Sequence, residues 1–153
     1  MSDTSPTAPD FTLPRDGGES VTLSALRPGA VVLFFYPRDD TSGCTREAVA
    51  FSGLLPDFEA AGATVLGISR DSVASHGKFR DKHALTVPLL SDAEGSVCEA
   101  YGVWKEKNMY GKTFMGIERS TFLIDGAGRI AREWRKVKVP GHAEEVLGAV
   151  RAL

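Results

Sequence analysis

Hydrophobic positions along the chain fall into short blocks, and the period of each block predicts an element. In DFTLPRDGGESVTLSAL, apolar residues lie on both sides of Asp16-Gly17-Gly18, which predicts two short strands joined by a hairpin turn. GAVVLFFYP is a continuous apolar run ended by Pro37, the pattern of a central strand buried on both faces. Phe51, Leu54 or Leu55, and Phe58 then recur at helical spacing, with Gly62 as a stop. Pro56 falls inside this helix and is expected to kink it, or to restart it with proline in the first turn. ATVLGIS predicts a second buried strand, and SVASHGKFRDKHA a helix capped by Asp71 or Ser72. VPLLSD reads as a short strand, AEGSVCEAYG as a short helix with a Gly stop, and RSTFLIDGAGRIAREWR as a hairpin turning at residues 125–128. PGHAEEVLGAVRAL closes the chain as a helix with Val146, Leu147, Val150 and Leu153 at apolar spacing.

Strands alternating with helices argue an α/β fold, with parallel pairs joined by right-handed crossovers and antiparallel strands added by the late hairpin. A mixed central sheet flanked by helices, with an N-terminal β-hairpin, resembles the layout of a thioredoxin-like fold. At 153 residues the chain suits one domain spanning 1–153. Its first ten residues are rich in Pro, Ser and Thr and are expected to lie loosely on the surface, residues 1–8 outside the folded body.

Composition narrows the function classes. A formal net charge of −2, with bases and acids interspersed, gives no footprint for nucleic acid or an anionic membrane. The longest apolar run is far too short to span a bilayer, and the N-terminus has neither a basic leader nor an apolar signal core. Two cysteines without a secretion signal suit a reducing compartment, so a cytoplasmic location is expected.

One of those cysteines lies in YPRDDTSGCTREAVAF, directly after Gly43 at the head of an amphipathic stretch. At a helix N-terminus, unpaired N–H groups and the macrodipole favour a thiolate over a thiol, which makes the sulfur reactive. Gly43 lets backbone N–H groups come close to a ligand. Residues 38–43 are polar or Gly, so Cys44 is expected to be entered from an accessible loop. The competing reading is a buried, inert cysteine. Thr41 and Ser42 could equally be plain helix caps.

Pro37, Thr41 and Cys44 fall on the fixed positions of Pro-x-x-x-Thr/Ser-x-x-Cys, and the stretch resembles the active-site signature of the peroxiredoxins. The similarity runs on through VLGISRDS, PLLSD, YGVWKEKNMYG, GIERSTFLID and KVPGHAEEV, nearest to the bacterioferritin comigratory protein (peroxiredoxin Q) subgroup. The resemblance implies a thiol-dependent peroxidase acting on hydrogen peroxide and organic hydroperoxides. Cys44 would be the peroxidatic cysteine, passing through a sulfenic acid. Thr41 would hydrogen-bond the peroxide, Pro37 would shield the site from water, and Arg119 would hold the thiolate ionised. Glu47 would orient that arginine. No cofactor or metal is implied, because sulfur carries the redox change. The subgroup is often monomeric.

A sulfenic acid must be returned to thiol before it oxidises further. The subgroup's two places for a resolving cysteine are occupied here by Val49 and Arg80. Cys98, with Val97 and Tyr101 expected to face the core, reads more simply as a small apolar filler than as a resolving thiol. A one-cysteine mechanism is therefore expected, with thioredoxin, a glutaredoxin-type protein or a small thiol as reductant. A second functional class stays open: a redox sensor that passes a disulfide from Cys44 to a partner protein. His76, His83 and His142 lack metal-ligand spacing with the cysteines; all three are expected to be solvated. Trp104, Met109, Tyr110, Phe114 and Met115 read as a long connection packed on the core, or as an apolar rim admitting organic hydroperoxides.

Overall fold

The computed structural model describes residues 6–153. Two short strands, β1 (Thr12–Pro14) and β2 (Ser20–Thr22), form the expected antiparallel hairpin. The central sheet is built from β3 (Ala30–Phe35), β4 (Ala63–Ser69), β5 (Leu89–Ser91), β8 (Ser120–Ile124) and β9 (Ile130–Trp134). Its spatial order is β5-β4-β3-β8-β9, with β3 parallel to β4 and antiparallel to β8. Helices α1 (Ser42–Ala60) and α2 (Val73–His83) make the two crossovers, α3 (Ser96–Ala100) follows β5, and α4 (His142–Arg151) closes the chain.

Strand alternation sorts the apolar residues of β3 into two cores. Val32 and Phe34 point to one face, with Phe51 and Phe58 of α1, Phe79 of α2 and Val146 of α4. Val31, Leu33 and Phe35 point to the other, with Phe11 and Leu13 of the N-terminal segment and Val97 of α3. Because both faces are buried, the strand reads as an unbroken apolar run. Phe34 and Phe51 stack with centroids 4.6 Å apart, fixing α1 on the sheet; burying each ring contributes about 1.5–3 kcal/mol.

Pro56 lies inside α1 and does not restart it; the helix runs on to Ala60. Proline lacks the N–H that would reach the Ser52 carbonyl. Thr86 supplies a replacement, its hydroxyl donating to that carbonyl at 3.3 Å, while Ser52 Oγ accepts from the Thr86 and Val87 N–H groups. Ser72 is the cap of α2, its hydroxyl accepting from the Ser75 N–H at 3.1 Å.

Three expectations change. Residues 6–8 are not loose: the Pro6 carbonyl accepts from Ile130 N–H, Ala8 N–H donates to the Gly128 carbonyl, and Ala8 is buried. Residues 1–5, the rest of the expected loose segment, lie outside the described residues. The stretch from Trp104 is no connection packed on the core but a hairpin of its own, β6 (Trp104–Met109) and β7 (Lys112–Ile117). It turns at Tyr110-Gly111, both with positive φ, and leaves Met109, Tyr110, Phe114 and Met115 exposed. Leu153 is exposed past the end of α4. Among the described residues no helix is long and apolar enough to cross a membrane.

Candidate active site

The site forms where β3 ends and α1 begins. Residues 36–41 leave the carboxyl end of β3 and deliver the first turn of α1, with Thr41 as its N-cap. Cys44, Ala48 and Phe51 lie at i, i+4 and i+7 and are all buried, so the cysteine starts the stripe by which α1 packs on the sheet. Cys44 is only 1% exposed. The polar loop before it therefore does not open onto the sulfur, contrary to the expectation from residues 38–43; the helical stripe turns the side chain inward.

The sulfur is buried against charge. Glu47 lies three residues on, on the same helical face, and is likewise 1% exposed. Arg119, just before β8, is brought opposite them because Phe35 pairs with Ser120. Its Nη2 donates to Cys44 Sγ at 3.3 Å and its Nη1 to Glu47 Oε1 at 2.7 Å. One guanidinium thus grips both side chains with its rigid fork, which a lysine could not do. Burial pushes the Glu47 carboxyl up to about 7, and the attraction of Arg119 only partly opposes it. The second carboxylate oxygen, Oε2, is buried without a hydrogen-bond partner, which is why desolvation outweighs the ion pair.

Gly43 has a steric reason as well. A Cβ there would stand 3.1 Å from Arg119 Nη2, so any larger residue pushes on the guanidinium. The first N–H groups of α1, those of Gly43 and Cys44 among them, have no partner within the helix. Thr41 is exposed, and its hydroxyl donates to the Arg38 carbonyl at 3.0 Å instead of capping the helix. Pro37 is half-buried and lines a cavity of about 400 Å³ with Trp104, Lys107, Phe114 and Met115. A neighbouring cavity of about 380 Å³ is lined by Arg119, Lys105, Lys107 and Lys136. Gly43, Cys44, Glu47 and Arg119 therefore gather around one place, and Pro37 lines the adjoining cavity, which shares Lys107 with that of Arg119.

Cys98 does not join them. It is fully buried in the opposite core, so the sheet stands between the two thiols. Burial pushes its thiol up, and the Asp92 carboxylate adds to that. Val97 and Tyr101 face the core as expected. Both cysteines are free thiols.

Sequence reasoning missed several groups. Lys107 lines both cavities; burial and then Arg119 pull its ammonium down while Cys44 pushes it up, so it shares the field of the site. The sequence hides its position, because Tyr110 is not among the residues that favour the positive φ a two-residue hairpin turn needs. Two of the three histidines, His76 and His142, are buried rather than solvated. His76 is fully buried, with Nδ1 2.7 Å from Asp39 Oδ2. His83 pairs with Asp40 at 2.8 Å, and His142 is buried with Nε2 2.8 Å from Thr121 Oγ1. Polar residues acquire such partners only from distant segments, so periodicity could not show it.

The fold is that of a thioredoxin-like protein, and its candidate site holds one buried cysteine gripped by an arginine. Residues 5–133 match the model of the AhpC/TSA family. The chain belongs to that family, among its peroxiredoxins of the bacterioferritin comigratory protein (peroxiredoxin Q) subgroup. It is 51% identical to peroxiredoxin Bcp of Xanthomonas campestris pv. campestris over 143 residues, covering 94% of this chain and 89% of the relative. To peroxiredoxin Bcp of Bacillus subtilis strain 168 it is 49% identical over 144 residues, 94% of this chain and 92% of that one. A solved structure of the Xanthomonas campestris bacterioferritin comigratory protein superposes with a TM-score of 0.88 at 50% identity, covering 93% of this chain and 90% of that one. The protein is a thiol-dependent peroxidase, which takes a hydroperoxide as substrate and a thiol as reductant.

Proposed function

We propose that Cys44 is the peroxidatic cysteine and that the enzyme is of the one-cysteine type, acting as one domain and as a monomer. The observation that carries this reading is the Arg119 fork, which reaches Cys44 Sγ at 3.3 Å and Glu47 at 2.7 Å. The Cys44 thiolate attacks the terminal oxygen of the hydroperoxide; the O–O bond breaks and the S–O bond forms. Sulfur is oxidised to a sulfenic acid, and an alkoxide or hydroxide leaves and takes up a proton. Charge moves from sulfur to the leaving oxygen during this step. Donors fixed along that path, Arg119 and the first-turn N–H groups, stabilise the transition state more than the ground state. Thr41 donates its hydroxyl to the peroxide after leaving the Arg38 carbonyl, Pro37 excludes water, and Glu47 holds Arg119 in register.

Organic hydroperoxides are accepted as well as hydrogen peroxide: the cavity beside Pro37 is walled by Trp104, Phe114 and Met115, and alkyl peroxide reduction activity is described for the Xanthomonas campestris relative. Resolution comes from outside the chain. An external thiol condenses with the sulfenic acid, releasing water and leaving a mixed disulfide, and a second thiol opens it. Thioredoxin, a glutaredoxin-type protein or a small thiol has the required chemistry. Two thiols that face separate cores suit a reducing compartment such as the cytoplasm.

The test is the intact mass of the reduced protein after one equivalent of hydrogen peroxide. A gain of oxygen located on Cys44 is expected. An unchanged mass would sink the assignment, and a loss of two hydrogens within one chain would replace the one-cysteine type by a Cys44–Cys98 disulfide.

A further inference from the structure

A buried polar cluster lies behind the loop that carries the site. Asp39, in that loop, accepts from Tyr36 Oη at 2.6 Å through Oδ1, and from Ser75 Oγ at 2.8 Å through Oδ2. The same Oδ2 is 2.7 Å from His76 Nδ1. On its other side His76 Nε2 meets the Leu90 carbonyl at 2.9 Å. With Asp39 as a carboxylate both partners can only accept, so both ring nitrogens donate and the ring is an imidazolium. Burial pulls the His76 pKa down, but the Asp39 carboxylate and the Leu90 carbonyl more than offset this and the net shift is upward. The backbone of Asp39 is fixed too, its N–H donating to Asp71 Oδ2 at 2.8 Å. Asp71 is steadied in turn by Ser69 Oγ at 2.6 Å.

Residues 37–41 have no strand or helix of their own to hold them. Yet they carry Pro37 and Thr41 and set where the first turn of α1 begins. Asp39 ties this loop to α2 through His76, and through His76 to β5. A second tie, Asp40 to Lys82 and His83, lies nearer the surface and counts for less. The buried tie is the stronger constraint, because breaking it strands a charge in the core.

We infer that Asp39 and His76 are positioning residues for the peroxidase reaction, the Tyr36–Asp39–His76 cluster clamping the active-site loop so that Cys44 stays packed under Arg119. The inference rests on the proposed role of Cys44. Releasing the clamp frees the loop and the first turn of α1, which exposes the sulfur while separating it from its donors. Cys98 is a built-in control, since it lies in the opposite core and is uncovered only when the fold itself opens.

The experiment uses the full chain with His76→Gln, Asp39→Asn and the double variant. It measures the second-order rate of Cys44 oxidation by hydrogen peroxide, and the iodoacetamide labelling rate of each cysteine by peptide mass. Each single variant is expected to slow oxidation by about tenfold to a hundredfold, the scale set by a small misplacement of reacting groups. Cys44 labelling should quicken while Cys98 stays protected, and the double variant should lose no more than the worse single one. If both cysteines become reactive together, the cluster only holds the fold and the inference is overturned. Wild-type rates for both reactions, or losses that multiply in the double variant, overturn it as well. Asp39→Asn keeps the size of the side chain and the hydroxyl donors around it, so it tests the clamp should His76→Gln fail to fold. If wild-type Cys44 is not oxidised at all, the proposed role of Cys44 fails instead, and the labelling rates still judge the clamp.

Discussion

Cys44 and Cys98 occupy the same place in their helices, the third residue of α1 and of α3, and both are buried. Their surroundings differ in sign. Cys44 meets the Arg119 guanidinium at 3.3 Å, whereas the backbone N–H of Cys98 donates to the Asp92 carboxylate at 2.7 Å. α1 is 19 residues long and α3 only 5, so the partial charge at the N-terminus also favours the first. A helix terminus alone therefore does not set the surroundings of a sulfur. The cation beside Cys44 comes from a distant part of the chain.

The comparison can be broken most directly by removing each sulfur in turn. Cys44→Ser should abolish peroxide consumption in a coupled thiol assay, while Cys98→Ser should leave the rate unchanged. The second variant should instead melt earlier, because a smaller and more polar hydroxyl replaces sulfur in a fully buried place, even with the Asp92 carboxylate beside it to accept a hydrogen bond. Arg119→Met comes next. It removes the charge that distinguishes the two thiols and should cost about a hundredfold to a thousandfold in the oxidation rate followed by stopped flow. Arg119→Lys should recover only part, since an ammonium cannot reach both Cys44 and Glu47 in a fork.

Glu47 sharpens the comparison through pH. Folded, its carboxyl keeps its proton up to about 7, against 4.5 for an ordinary glutamate. Its contribution to stability is therefore fully present below 4.5 and is lost as pH rises through about 7. Glu47→Gln should remove that slope, so melting temperatures of variant and wild type should diverge in favour of the variant across this window. The oxidation rate should show the opposite preference: ionised Glu47 holds Arg119 best, so the limb of the wild-type rate rising through about 7 should flatten in the variant. Gly43→Ala is the mildest change. Its Cβ would press on Arg119 Nη2 from 3.1 Å, and a loss of about fivefold in rate, about 1 kcal/mol on the barrier, is expected.

Much of this was legible in advance from local signals. The apolar run of β3, the Gly-rich hairpin turns and the helical spacing of α1 and α4 arise within a few residues of each other, so periodicity recovers them. The β6–β7 hairpin escaped because its strands are largely exposed and lack a buried alternating face. The inward turn of Cys44 could have been read from its i+4 and i+7 partners, Ala48 and Phe51, but the polar loop before it pointed the other way.

Local pattern carries the order of the central strands and helices, the cysteine at the head of α1, and the Val49 and Arg80 that stand where the subgroup carries a second cysteine. Those are properties of neighbours along the chain. It takes the fold to bring Arg119 opposite Cys44, to bury His76 beside Asp39, and to set the sheet between the two thiols. Charge acts over a few ångströms of space, and here the groups it joins are 75 and 37 residues apart in sequence. Strand pairing creates that proximity, because β8 lies beside β3 and thereby carries Arg119 to the mouth of the loop.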